Sequence, residues 1–180
     1  NNVDAGEGGQ ALAKVSRIDI SSLNPLLREA HIQVACDVNN PLCGENGSTY
    51  VYGSQKGVTE NQKKQLDEDM AHFAQITSQA LGTDYCNTPG AGAAGGLGFA
   101  FLSYLGATLT PGIELILNAV GLEQELSDAD VVVTGEGRLD FQTAMGKAPV
   151  GVAKLAKKHH AKVIAFAGSV TKEAAACNKE

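Results

Sequence analysis

The sequence predicts an α/β protein with parallel strand pairing, whose first α/β domain, over residues 1–129, is expected to be incomplete at its N-terminus.

 The domain over 1–129 is expected to be followed by an incomplete parallel-sheet domain over 130–180. Short β-branched runs, His31–Cys36, Val131–Val133 and Val163–Ala167, alternate with stretches of helical periodicity. The last two runs bracket a helical segment near Pro149–His160, which makes a βαβ unit, parallel and right-handed. With 43% hydrophobic residues in 180, the chain has enough apolar content to exclude disorder and to bury a core without disulfides.

Taken in order, His31–Cys36 reads as a strand through the alternation of Ile32, Val34 and Cys36, and it runs into the turn-forming segment Asp37–Leu42. A long helix is expected from about Thr59 to Leu81. Thr59 and Gln62 have capping-box spacing, and Leu66, Met70, Phe73 and Ile76 form one apolar stripe. Gly82 is a natural stop. Five glycines then fall between Gly90 and Gly98, running into Phe99–Leu105. Thr110-Pro111 opens a further helix over Gly112–Val120. Val131–Val133 is a continuous β-branched run, expected of a strand covered on both faces, with a long loop after it. Two parallel strands cannot stand alone, so neighbouring strands of a Rossmann- or flavodoxin-like sheet are expected outside this chain.

Composition narrows the function classes. The formal net charge of −6 argues against nucleic acid or an anionic membrane as the main partner, though not against a phosphorylated ligand held by local Lys and Arg groups. The longest apolar-looking stretch, Gly90–Gly106, rests on Gly and Ala and does not read as a membrane span. Residues 1–6 have neither a basic nor a long apolar region, so no signal peptide is expected. Cys36, Cys43, Cys86 and Cys177 show no C-x-x-C pair and no zinc spacing, and are expected to be reduced and structural, as in a cytoplasmic protein.

Three segments could carry chemistry. Gly90-Ala91-Gly92-Ala93-Ala94-Gly95 matches G-x-G-x-x-G, but no buried strand precedes it and no acidic residue ends a second strand. It serves equally as a phosphate cradle of backbone N–H groups or as tight packing through glycines. Thr134–Lys147 follows a parallel strand, where α/β ligands gather, and crowds Glu136, Arg138, Asp140, Gln142 and Lys147 together. Arg and Lys there can clamp anionic oxygens and the carboxylates can hold Mg²⁺, unless the loop is simply solvated. Asp37, also after a strand, can act as a base or cap its own turn. Lys56, in Gln55-Lys56-Gly57, reads as a solvent-facing cation.

Val34–Leu42, Gly53–Gly57, Pro89–Gly98, Thr134–Thr143 and Ala167-Gly168-Ser169, in that order, resemble the bacterial glycerate kinase family, type 1. Ser54 stands where the family usually has Pro, and Ala148 where Thr is frequent. The resemblance implies the two-domain glycerate kinase fold and a chain corresponding to roughly its second half. It implies ATP-dependent phosphorylation of D-glycerate to 2-phosphoglycerate, with Mg²⁺ bridging the phosphates, in the cytoplasm. A homodimer is one assembly open to it. Under this reading Asp37 orients and deprotonates the acceptor hydroxyl, and Arg138 clamps the glycerate carboxylate or the γ-phosphate. Asn39, Asp140, Gln142 and Lys147 bind substrate, while Gly90, Gly92, Gly95, Gly96 and Glu136 face the nucleotide phosphates. A fragment of such an enzyme can be inactive alone. The alternative is a non-catalytic α/β module that binds a small anion.

Overall fold

The structure, a computed structural model, describes residues 3–179. The chain divides into two compact units, the first ending at Thr110 and the second beginning at Pro111.

In the first unit, β1 (Gln33–Ala35) pairs in parallel with β2 (Thr108–Thr110), with Gln33 opposite Thr108 and Ala35 opposite Thr110. The backbone N–H of Cys36 extends the ladder by donating to the Thr110 carbonyl at 2.9 Å. The strand is shorter than the run His31–Cys36, and its partner β2 carries no alternation long enough to be read from sequence. Between the strands lie α1 (Ser48–Tyr52), α2 (Glu60–Leu81) and α3 (Ala93–Leu105). Helix α2 starts at the expected place, with the Thr59–Gln62 capping box formed, and ends at Gly82 in the left-handed region (φ 76°).

The core of this unit joins Leu42, Ala74, Ala91, Phe99 and Leu102, with Met70, Phe73, Cys43, Cys86 and Leu109 packed around them. Phe73 of α2 meets Phe99 of α3 edge to face, with ring centroids 6.3 Å apart. Truncating Phe99, only 2% exposed, to Ala would cost about 3–5 kcal/mol. Deeper along the same helix pair, the Thr77 and Tyr104 hydroxyls hydrogen-bond at 2.7 Å, so neither polar group is stranded.

In the second unit, α4 (Gly112–Ala119) and α5 (Leu122–Glu125) precede β3 (Val131–Leu139), α6 (Phe141–Ala144), α7 (Ala148–Lys158) and β4 (Lys162–Val170). A 3-10 run, Lys172–Lys179, follows β4. Strands β3 and β4 pair in parallel, Val132 opposite Val163 and Leu139 opposite Val170, completing the expected βαβ unit. Leu126, Ala156 and Ala161 form the core, with Leu122, Val132, Leu155 and Val163 against them. Helix α4 belongs here because Gly151 of α7 lies so close to Ile113 that an added Cβ would stand 2.4 Å from its Cγ1. The compact second unit thus takes in α4 and α5 as well as the residues from 130 onward.

Two expectations change. Thr134–Leu139 is not a loop but the continuation of β3, because its backbone keeps pairing with β4 as far as Val170. The sheet is also not covered on both faces: Val133 and Phe166 are 61% and 66% exposed, and Val131 and Ile164 are exposed beside them.

Candidate functional site

In the first unit the site is built where the segment after β1 meets the glycine-rich turn. Asp37 and Asn39 are exposed on that segment. Asn40 fixes its shape: Nδ2 donates to the Asn46 carbonyl at 2.8 Å, and Oδ1 accepts from the Tyr52 hydroxyl at 2.6 Å. The Asn40 carbonyl in turn accepts the Gly92 N–H at 2.9 Å. Gly92 must be a glycine for lack of room, since a Cβ would lie 2.2 Å from the Pro41 carbonyl oxygen.

The glycine-rich segment does more packing than its motif suggests. Gly90 abuts the Cys36 thiol and Leu109, and Gly98 abuts the Gly90 carbonyl. The Gly92 and Gly95 N–H groups donate to the carbonyls of Asn40 and Gly92. Ala94, Gly95 and Gly96 have positive φ, so regular helical geometry in α3 begins only at Leu97. The cation that sequence reasoning took as solvent-facing sits here. Lys56 Nζ donates to the Ala94 carbonyl at 3.3 Å and lies over Gly95, where an added Cβ would stand 2.6 Å from it. The available signal was its place in Gln55-Lys56-Gly57, at the end of a turn.

In the second unit the end of β3 and the start of α6 gather the other candidates. Asp140 caps α6, accepting from the N–H groups of Gln142 at 2.9 Å and Thr143 at 3.3 Å. Thr143, fully buried, accepts the Asp140 N–H at 3.2 Å through its hydroxyl oxygen and donates that hydroxyl to Glu136. Arg138 Nε and Lys147 Nζ each stand 3.9 Å from an Asp140 carboxylate oxygen. Asp140 is therefore a fixed anion that draws two cations together, and Arg138, 65% exposed, keeps donors for a ligand. Glu173 lies within the field of Arg138. Its carboxyl is held below the usual range chiefly by its own backbone N–H, with the Arg138 charge adding to the effect. Glu136, Arg138, Asp140 and Lys147 thus come together around the cap, with Gln142 contributing the backbone N–H that Asp140 accepts.

Among the described residues, no three His, Cys, Asp or Glu side chains converge as a metal-holding group. No described helix is long and apolar enough to cross a membrane.

Comparison with known proteins bears on both clusters. A family model described as "Glycerate kinase family" matches residues 1–180. The chain is 49% identical over 170 residues to a glycerate kinase of Halalkalibacterium halodurans, covering 94% of this chain and 45% of that protein. It is 47% identical over 171 residues to the glycerate 2-kinase of Escherichia coli, covering 95% of this chain and 45% of that protein. A crystal structure from Salmonella typhimurium LT2, described as glycerate kinase 2, superposes with a TM-score of 0.82 at 43% identity, over 92% of this chain and 46% of that one. The chain spans about 45% of the length of these curated relatives. The mixed α/β architecture with short parallel sheets and the family model agree: the chain belongs to the glycerate kinase family.

Proposed function

We propose that this chain is part of a glycerate 2-kinase, which transfers the γ-phosphoryl group of ATP to the 2-hydroxyl of D-glycerate. The observation that carries the reading is the 47% identity, across both clusters, to a relative that bears the name glycerate 2-kinase. Phosphoryl transfer asks mainly for positioning and charge neutralisation, and exposed cations held by fixed neighbours suit that task. Arg138 and Lys147, drawn in by Asp140, bind the glycerate carboxylate or a phosphate oxygen. Gln142 stands beside them at the start of α6. Lys56 adds a cation at the glycine-rich turn, where Gly90, Gly92, Gly95 and Gly96 shape the backbone near the nucleotide phosphates. Asp37, supported by Asn39, accepts the proton from the attacking hydroxyl.

Glu136 is occupied by the Thr143 hydroxyl and acts by holding the end of β3 in place. Mg²⁺ would supply neutralisation of the phosphate charge. The enzyme is taken to work in the cytoplasm, as a monomer or a homodimer.

The test is turnover by the full-length protein. ATP consumption that depends on D-glycerate, with phosphate found on the 2-hydroxyl by NMR, supports the reading. Tight binding of glycerate or phosphate without any turnover contradicts it.

A further inference from the structure

Cys43 and Cys86 approach one another at the edge of the first unit's core. The Leu42 N–H donates to the Cys86 carbonyl at 2.8 Å, which sets residues 42 and 43 beside residue 86. The two thiols feel one another: donation from Cys43 toward Cys86 pushes the Cys43 thiol up and holds Cys86 below the usual thiol range. Both residues pack against the cluster around Leu42 and Phe99, yet both remain partly exposed. Cysteines on backbone segments tied this closely, with side chains packed on one cluster, need little backbone movement to meet the requirements of a disulfide.

We propose that Cys43 and Cys86 are a dithiol site that low-molecular-weight disulfides oxidise to an intramolecular disulfide. The Cys86 thiolate attacks one sulfur of the oxidant, forming a mixed disulfide and expelling one thiolate. The Cys43 sulfur, after losing its proton, then attacks the Cys86 sulfur; the protein disulfide forms and the second small thiol leaves. Two protein thiols are oxidised and one small disulfide is reduced to two thiols, so the two electrons balance.

The order of attack follows from the hydrogen bonds. They favour the thiolate at Cys86, whose titration is lowered by the Cys43 thiol despite burial and the nearby carboxylates of Asp84 and Asp67. The Cys43 thiol is pushed up by donating to Cys86, by burial and by the same charges. Bridging the pair would fasten the segment that carries Asp37 and Asn39 to the approach of the glycine-rich turn. Asp84 already caps that approach, accepting the Cys86 N–H at 2.8 Å.

The experiment treats the full-length protein with glutathione disulfide and digests it without reduction. The expected result is a joined Cys43–Cys86 peptide two hydrogens lighter than its parts, with two fewer free thiols per protein. Cys43→Ser should instead trap one glutathione on Cys86, whereas Cys86→Ser should leave Cys43 largely unmodified. The wild-type peptide map does not depend on either variant folding. Absence of the joined peptide, or preferential modification of Cys36 or Cys177, would overturn the proposal.

Discussion

Lys56 donates from Nζ to the Ala94 carbonyl at 3.3 Å, which ties the Gln55-Lys56-Gly57 turn to the glycine-rich segment across the length of α2 in sequence. A phosphate contact of the charged type is worth about 1.5–3 kcal/mol. Lys56→Ala in the full-length protein is therefore expected to raise the KM for ATP or glycerate roughly 10-fold or more, with unfolding stability changed by less than about 1 kcal/mol. Steady-state kinetics and urea unfolding check the two parts. Arg138→Ala is expected to act in the same direction, since it too holds bound substrate.

Gly92 and Gly57 separate crowding from backbone conformation. Gly92 has an ordinary φ of −76° but no room for a Cβ beside Pro41. Gly57 has a φ of +85° and nothing within 4 Å. Gly92→Ala is expected to destabilise by about 2–3 kcal/mol through overpacking. Gly57→Ala should cost about 1–2 kcal/mol through the left-handed conformation. Chemical denaturation of both variants measures the difference.

The elements with strong local signals were legible in the sequence. Helix α2 carries its own capping box, apolar stripe and stop glycine, and the βαβ unit shows through Val131–Val133 and Val163–Ala167. The end of β3 was hidden because Gly135, Gly137 and the charges between them look like a loop. Pairing with β4 keeps it extended, and the Phe166 carbonyl lies so near Gly135 that no side chain fits there. The phosphate-loop pattern at Gly90–Gly95 could not reveal that the Gly92 N–H turns inward to the Asn40 carbonyl, because that acceptor depends on tertiary folding. Lys56 read as solvent-facing for the same reason: its partner is far away in sequence.

Thr143 links the two acidic residues of the second cluster, and its side chain is fully buried. Thr143→Val keeps the shape but removes the hydroxyl, leaving Glu136 without that donor. A loss of about 1–3 kcal/mol is expected. Thermal unfolding measures it, and Thr143→Ser should recover most of the stability.

Phe166 is 66% exposed on the open face of the β3–β4 sheet, in a chain that spans about 45% of its relatives' length. Phe166→Ser is expected to change the stability of this chain alone by no more than about 0.5 kcal/mol. In the full-length protein, where further polypeptide is expected to cover the face, the same change should cost about 3 kcal/mol. Paired denaturation curves test the contrast.

Glycerate-dependent ADP release by the full-length protein, wild type beside Asp37→Asn, bears most directly on phosphoryl transfer with Asp37 as the proton acceptor. The substitution keeps the shape and removes the basic oxygen. The expected result is turnover in the wild type and a kcat lower by roughly 10²–10⁴-fold in the variant, with little change in the KM for glycerate. No glycerate-dependent turnover in the wild type would contradict the kinase reading, and near-normal turnover in Asp37→Asn would return Asp37 to the role of a turn cap.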